Sequence, residues 1–195
     1  DEVITIFSAG HETTSNLLTW TLYLLAKHPT VTDKIRQELN AVTNGKPLQY
    51  DDLPNLNYTK AVINESLRIR PPVGVMMRKL IQDTEVYGYA LKAGSLAIFS
   101  IYNVHHHPEL WAEPEQFNPE RFLTAESRRF LFMPFGAGER ICIGNHFAML
   151  EAQLLLAMMI QQYDFELIDQ AEPKIEMVIS VRPKGGLPIR IVRRG

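Results

Sequence analysis

The sequence has a single cysteine, Cys142, among its 195 residues. An internal disulfide and a cysteine-cluster zinc site each need more than one thiol, so both are excluded. The remaining roles for Cys142 are a buried bystander, a reactive thiol or a metal site with one thiolate ligand. The cellular compartment therefore cannot be inferred from disulfide bonds.

Long apolar runs and long blocks of like charge are also missing. The apolar runs at 17–26 and 147–160 are shorter than a bilayer-spanning helix requires, and the second contains Glu151 and Gln153. We expect both runs to be buried core helices. The formal net charge of -2 predicts no nucleic-acid partner.

The first residues show neither an initiator Met nor a targeting pattern, and they run directly into an amphipathic segment. We therefore expect residues 1–195 to be a truncated chain. A hydrophobic content of 46% is ordinary for a globular domain and sufficient for a sizeable core.

Residues 2–27 predict one long helix with a weak middle. Gly10 costs roughly 1 kcal/mol relative to alanine inside a helix, and the poor helix formers at 13–16 follow it. We expect the helix to open locally in this region.

Apolar stripes at helical spacing predict three further helices, with stop signals at Asn44-Gly45 and at Pro71-Pro72. They cover residues 31–42, 58–70 and 145–163.

Short β-rich runs broken by glycines predict a small sheet within 73–100, whereas 101–141 lacks clear periodicity. Alternating apolar residues at 175–181, a turn at 183–186 and more apolar residues at 189–191 predict a C-terminal hairpin. The expected fold class is mainly α with small β-sheets.

A glycine-rich loop at 135–144 contains Cys142 and leads directly into a predicted helix. Glycines let the backbone approach an anion closely, and the helix N-terminus adds a favourable partial charge, so a thiolate would be stabilised there. Arg140 is placed to bind a carboxylate of a ligand. A plain glycine-rich turn holding a buried free cysteine fits this spacing equally well.

An acid and an alcohol are adjacent in the segment 9–14, at Glu12 and Thr13, where the long helix is weakest. A carboxylate beside a hydroxyl can pass protons towards a reaction site. On this motif alone, a mid-helix threonine cluster with a solvated glutamate is the stronger interpretation.

Glu65 and Arg68 are spaced i, i+3, which places a carboxylate and a guanidinium on one helix face. An exposed pair of this kind is common and contributes only a few tenths of a kcal/mol. The pair by itself indicates no function.

Taken together and in this order, the motifs resemble those of the cytochrome P450 family over essentially the full chain. The resemblance rests on four sets of residues: the loop pattern Phe135, Gly138, Arg140, Cys142 and Gly144; the pair Glu65 and Arg68; the segment Pro119-Glu120-Arg121-Phe122; and the segment 9–14. It implies that residues 1–195 are the C-terminal part of a single cytochrome P450 domain whose N-terminal half is absent.

The resemblance implies haem b as cofactor, with Cys142 as the axial thiolate ligand of the iron. It also implies that Thr13 and Glu12 activate dioxygen and deliver protons. The haem-contacting residues are then Cys142, Arg140, Arg78, Phe135, Gly136 and Gly138.

Two further sets of residues take their roles from the resemblance. Glu65, Arg68 and Arg121 would form a buried structural network that holds the haem-binding core together. The substrate pocket would be lined by Ala9, Val73, Val75 and Ile179, whose small or aliphatic side chains suggest an apolar substrate. The segment 9–29 is most similar to that of fatty-acid-hydroxylating members.

The implied function is a monooxygenase that takes electrons from a ferredoxin, a flavodoxin or a flavin reductase and acts on a small apolar substrate and dioxygen. A haem-thiolate isomerase or peroxygenase is the alternative enzyme, although it does not need the Glu12-Thr13 pair. A non-catalytic haem-binding protein is the alternative from another class. We expect a cytoplasmic protein, with membrane anchoring undecided.

Overall fold

The computed structural model describes residues 1–124, 130–177 and 180–194. In these residues helices predominate and the strands form small two-stranded antiparallel sheets, which confirms the predicted fold class. The helices are α1 (Glu2–Lys27), α2 (Pro29–Thr43), α3 (Asn57–Ile69), α4 (Ile101–His105) and α5 (Asn145–Gln162). The strands are β1 (Val75–Lys79), β2 (Thr84–Val86), β3 (Tyr89–Leu91), β4 (Leu96–Ser100), β5 (Tyr163–Leu167), β6 (Ile175–Met177), β7 (Val181–Pro183) and β8 (Ile189–Arg193).

The hydrophobic core lies between α1, α2, α3 and α5, which contact one another pairwise. Its fully buried side chains include Trp20, Ile35, Ile63, Leu156 and Ile160. No described helix has the length and the apolar character needed to cross a bilayer.

Helix α1 is buried along its C-terminal half and exposed along its N-terminal half. Trp20 and Leu25 are almost completely buried, whereas Ile4 and Phe7 are about 69% exposed. The described residues therefore leave the apolar side chains of its first two turns uncovered.

The expected opening in α1 is wrong, because the helix runs without interruption from Glu2 to Lys27. The Thr13 hydroxyl donates to the Ala9 carbonyl oxygen at 2.7 Å, and the Ser15 hydroxyl donates to the Glu12 carbonyl oxygen at 2.9 Å. These hydroxyls are satisfied by carbonyls of the preceding turn, so the backbone ladder need not open to accommodate them.

Helix α2 ends at the predicted stop signal, and the start of helix α3 is stabilised by a side chain of α2. Helix α2 ends where Asn44 adopts the left-handed conformation with φ of 53°. The carboxylate of Glu38 in α2 accepts hydrogen bonds from the backbone N–H and the hydroxyl of Thr59, each at 2.8 Å. Glu38 thereby satisfies N-terminal amide groups of α3 that have no partner within that helix.

The predicted small sheet within 73–100 is present as two nested hairpins. Strand β1 pairs with β4, with Val75 opposite Ser100, and β2 pairs with β3 inside them. Gly88 and Gly94 adopt φ of 81° and 84° where the chain turns, a conformation that favours glycine.

The predicted C-terminal hairpin is wrong in its pairing. Strand β6 pairs with β7, so that Ile175 lies opposite Pro183, and β8 pairs with β5, so that Ile189 lies opposite Leu167. Strand β5 begins directly after α5, and its Phe165 and Leu167 pack on the helical core. Burial against that core, rather than local alternation, selects the partner of β8.

His105, the last residue of α4, is completely buried. Its Nε2 accepts a hydrogen bond from the Met133 N–H at 3.0 Å, and its ring stacks on Phe132 with the centroids 5.4 Å apart. Burial lowers the pKa of His105 to about 4, because the charged imidazolium would be desolvated there.

This buried histidine predicts a loss of stability in acid. The unfolded chain takes up a proton at His105 near its ordinary pKa of 6.5, whereas the folded chain does so only near 4. The free energy of unfolding should therefore fall between these values, by up to about 3 kcal/mol. Urea unfolding at about pH 7 and about pH 5 measures the change.

The matched control is His105→Gln, which keeps an acceptor for the Met133 N–H but does not titrate. Its free energy of unfolding should depend less on pH across this range, while His106 titrates in both proteins. An equal pH dependence of the two proteins would contradict the assignment.

Candidate functional site

Cys142 is a free, exposed thiol in the loop between a short 3-10 turn at Gly138–Arg140 and the start of α5. The Cys142 N–H donates to the Phe135 carbonyl oxygen at 2.9 Å, which folds the loop back on itself. Gly136 has φ of 76°, a conformation that L side chains rarely adopt. The backbone therefore presents the thiol at the surface beside the N-terminus of α5.

The loop packs against strand β1. A Cβ atom on Gly136 would come within 3.1 Å of the Met76 Sδ, so the glycine permits this close approach. Arg78 lies two residues beyond Met76 and shares its face of the strand. Strand β1 thus brings Arg78 to the side of the sheet on which the cysteine loop lies.

Arg78 and Arg140 have no carboxylate partner within the described ranges. The Arg78 Nη1 donates to the Met77 carbonyl oxygen at 2.9 Å, and Arg140 is exposed beside Cys142 in the loop. Two guanidinium groups without an ion pair are available to an anionic ligand.

Apolar side chains surround the thiol along the chain. Ile141 is 50% exposed, Ile143 is 98% exposed and Phe147 is 68% exposed, and the three flank Cys142 in sequence. A Cβ atom on Gly138 would meet no atom within 4 Å, so the space beside the 3-10 turn is open. The described residues leave this apolar surface uncovered.

These groups fit a haem. An exposed thiol can ligate iron, two unpaired guanidinium groups can bind propionates, and exposed aliphatic and aromatic side chains can cover the apolar porphyrin. The open space at Gly138 also leaves room beside the loop for such a ligand.

Glu12 and Thr13 lie in the exposed-to-buried transition of α1, and their side chains make different contacts. The Thr13 hydroxyl donates its hydrogen bond to the Ala9 carbonyl oxygen, so the lone pairs of the hydroxyl oxygen can still accept one. The Glu12 Oε1 accepts a hydrogen bond from the Ser180 hydroxyl at 2.6 Å. Among the described residues, no hydrogen bond joins the side chains of Glu12 and Thr13 to each other.

Ser180 was not found from the sequence. It is separated from Glu12 by 168 positions, and it belongs to no motif that signals chemistry. The structure brings it to α1 because strand β7, which follows it, contacts that helix.

Glu65, Arg68 and Arg121 are brought together in one buried ion-pair network. The side chains of Glu65 and Arg68 are completely buried, so the solvent-exposed alternative for this pair does not apply. The Arg68 Nε and Nη2 donate to the two carboxylate oxygens of Glu65, each at 2.8 Å, and the Arg121 Nε donates to Oε1 at 3.1 Å. The bidentate geometry and the third donor compensate for the desolvation of the carboxylate.

The remaining donors of Arg68 hold the irregular segment that precedes the cysteine loop. Its Nη1 donates to the carbonyl oxygens of His105 and Pro114, each at 2.8 Å. These bonds attach the last residue of α4 and the irregular segment that follows it to helix α3.

The residues predicted to line a substrate pocket are partly exposed. Ala9 is on the exposed half of α1, and Val73 and Val75 are each 37% exposed at the start of the first hairpin. Ile179 lies outside the described residues. A cavity of about 320 Å³ elsewhere in the fold is lined by charged and polar groups including Arg36 and none of the predicted site residues.

Comparison with known proteins defines the family. Residues 1–188 match the family model for cytochrome P450. Cytokinin hydroxylase of Arabidopsis thaliana is 41% identical over 195 residues, covering 97% of this chain and 38% of that protein. Cyclooctat-9-en-7-ol 5-monooxygenase of Streptomyces melanosporofaciens is 40% identical over 160 residues, covering 80% and 35%. Pentalenene oxygenase of Streptomyces avermitilis is 36% identical over 197 residues, covering 100% and 44%.

The chain belongs to the cytochrome P450 family. It spans 35–44% of the length of these three relatives. The motifs at Cys142, Glu65 and Glu12 are therefore those of a haem-protein family, and the fold described above is part of its domain.

The buried network yields a stability prediction. Glu65→Gln keeps the shape of the side chain but leaves the buried Arg68 without its counter-charge. The free energy of unfolding should fall by roughly 3–5 kcal/mol, because a buried charge that loses its partner is strongly destabilising. Urea unfolding followed by far-ultraviolet circular dichroism measures the loss.

Glu166→Gln is the control, since Glu166 pairs with Arg190 and both side chains are more than half exposed. Its change should stay within about 0.5 kcal/mol, as is usual for surface ion pairs. If both substitutions lowered the free energy of unfolding by similar amounts, burial would not be what makes the Glu65 ion pair stabilising.

Proposed function

We propose that this chain is the haem-binding part of a cytochrome P450 monooxygenase that inserts one oxygen atom into a small apolar substrate. In the overall reaction, one dioxygen, two electrons and two protons convert a C–H bond to C–OH and release one water. The observation that carries the proposal is the free, exposed thiol of Cys142, held by a glycine loop at the N-terminus of α5 in a member of this family.

In this proposal the Cys142 thiolate would ligate the iron of haem b, and the haem would supply the chemistry of dioxygen. Cys142 lies two residues before the N-cap of α5, and the partial positive charge of a helix N-terminus favours a negatively charged ligand atom. Arg78 and Arg140 bind the propionates. Phe135 would contact the porphyrin, and Gly136 and Gly138 would let the loop backbone approach it.

Glu12 and Thr13 deliver protons in this proposal. The Oε1 of Glu12 is engaged by Ser180, whereas its Oε2 accepts no hydrogen bond from the described residues and can exchange a proton with water. The Thr13 hydroxyl donates to Ala9, so its oxygen can accept a hydrogen bond from a water molecule beside the helix. This pair favours a monooxygenase over an isomerase or a peroxygenase, since neither of these needs a proton relay.

Glu65, Arg68 and Arg121 have a structural role in the proposal. The side chains of Glu65 and Arg68 are completely buried, and Arg68 also donates to the backbone carbonyl oxygens of His105 and Pro114. Their function is to hold the segment that leads to the cysteine loop.

The substrate in this proposal is a small apolar molecule. The small or aliphatic side chains of Ala9, Val73, Val75 and Ile179 support it. The names of the three relatives specify a cytokinin, cyclooctat-9-en-7-ol and pentalenene, so these three members of the family act on varied organic molecules. A fatty acid remains a prediction from the resemblance of the segment 9–29.

The electron donor in this proposal is a ferredoxin, a flavodoxin or a flavin reductase. An external donor is needed because the reaction consumes two electrons in each turnover. A cytoplasmic location remains a prediction from the sequence.

The test is the difference spectrum of the dithionite-reduced, carbon-monoxide-bound protein expressed from its complete reading frame. A haem with a thiolate ligand should show a strongly red-shifted Soret band, and Cys142→Ser should lose that band because the serine hydroxyl does not replace a thiolate.

Glu166→Gln is the control, because Glu166 belongs to none of the motifs and forms an exposed ion pair with Arg190 between β5 and β8. It should retain the band. A wild-type protein that binds haem without the band, or binds no haem, would overturn the ligand assignment and the monooxygenase proposal with it.

A further inference from the structure

A hydrogen-bonded chain of three side chains links helix α1 to the residue that precedes strand β7. The Asn16 Nδ2 donates to the Ser180 Oγ at 2.7 Å, and the Ser180 hydroxyl donates to the Glu12 Oε1 at 2.6 Å. Glu12 and Asn16 are one helical turn apart and face the same way. Ser180 therefore lies against the face of α1 that carries these two polar side chains.

The direction of these bonds is determined by the chemistry of the groups. A side-chain amide nitrogen can only donate, and an ionised carboxylate can only accept. The Ser180 hydroxyl has one proton, so accepting from Asn16 leaves that proton for Glu12. Asn16 thus orients the hydroxyl towards the carboxylate.

Ser180 is held rigidly at this position. It is 1% exposed, and its neighbour Val181 is 2% exposed. The Val181 N–H donates to the Pro72 carbonyl oxygen at 2.8 Å, and the Trp20 Nε1 donates to the Val181 carbonyl oxygen at 3.2 Å. The next residue is therefore attached both to α1 and to the segment after α3.

We infer that Ser180 is a positioning residue for the Glu12 carboxylate, oriented in turn by Asn16. The inference rests on the proposed function, in which Glu12 delivers protons. A glutamate side chain has three rotatable bonds and samples many rotamers when nothing holds it. The bond to Ser180 holds Oε1 and leaves Oε2 as the oxygen that exchanges protons with water.

This role predicts a change in how electrons are used. When protons arrive correctly, one dioxygen with two electrons and two protons gives hydroxylated substrate and one water. When oxygen insertion fails, the same dioxygen, electrons and protons leave as hydrogen peroxide. A mispositioned Glu12 should therefore raise the ratio of peroxide to product without changing the ligation of the haem.

The experiment uses the haem-loaded protein from the complete reading frame, a reconstituted reductase and a substrate found by screening. Ser180→Ala should raise the peroxide-to-product ratio on the order of tenfold, the size expected when a carboxylate loses a hydrogen bond. The Soret band of the reduced carbon-monoxide complex should not move. In a Glu12→Gln background, Ser180→Ala should add little to the ratio, because both changes disrupt the same contact.

Two controls separate positioning from packing. Ser180→Thr keeps the hydroxyl, and Ser180→Val has the shape of threonine without the hydroxyl. The peroxide-to-product ratio should therefore stay low in the threonine variant and rise in the valine variant. Ser15→Ala removes a hydroxyl that bonds the backbone carbonyl of Glu12 rather than its carboxylate, and it should resemble the wild type. If Ser180→Ala does not fold, the threonine and valine pair decides the question.

A measurement without turnover tests the contact itself. Urea unfolding of the wild type, Ser180→Val, Glu12→Gln and the double variant should give non-additive changes, since the two groups are in contact. Additive changes, or equal peroxide ratios for the threonine and valine variants, would overturn the inference. A wild type that lacks the red-shifted band or forms no product would instead overturn the proposed function, so the two failures are distinguishable.

Discussion

The completely buried carboxylate of Glu65 is the interaction on which the arrangement of the site depends. It compensates the charge of Arg68, whose remaining donors hold the carbonyl oxygens of His105 and Pro114. The ring of His105 then accepts the Met133 N–H, and the Met133 carbonyl oxygen accepts the Gly136 N–H at 3.0 Å. A continuous set of hydrogen bonds thus runs from helix α3 to the loop of Cys142, although the intervening chain has little regular structure.

The acid side of the site depends on a different set of contacts. Helix α1 carries Glu12, and its position relative to Ser180 follows from the bonds that Trp20 and Pro72 make to Val181. The start of β7 is therefore attached to α1, and Ser180, the residue immediately before it, reaches Glu12. The same packing that buries Trp20 also places a hydroxyl against the carboxylate, so stability and the position of Glu12 share one structural cause.

Local signals predicted the helices well. The apolar stripe and the Asn44-Gly45 stop predicted α2, and the adjacent prolines predicted the end of α3. The predicted opening of α1 was wrong because helix propensities do not include the backbone carbonyls that accept hydrogen bonds from the hydroxyls of Thr13 and Ser15. The C-terminal hairpin was wrong because a period of two does not specify a partner strand. The partner of β8 was decided by the packing of β5 on the core.

The sequence by itself determined the family and predicted which residues carry the chemistry, because the spacing of Cys142, Glu65 and Glu12 in their motifs is a local property of the chain. The tertiary structure alone decided that the ion pair of Glu65 is buried and that Ser180 reaches Glu12. Both outcomes join positions distant in the chain. Their free energies depend on the cost of desolvating the polar groups and on the packing of the complete core, and neither can be read from the local sequence.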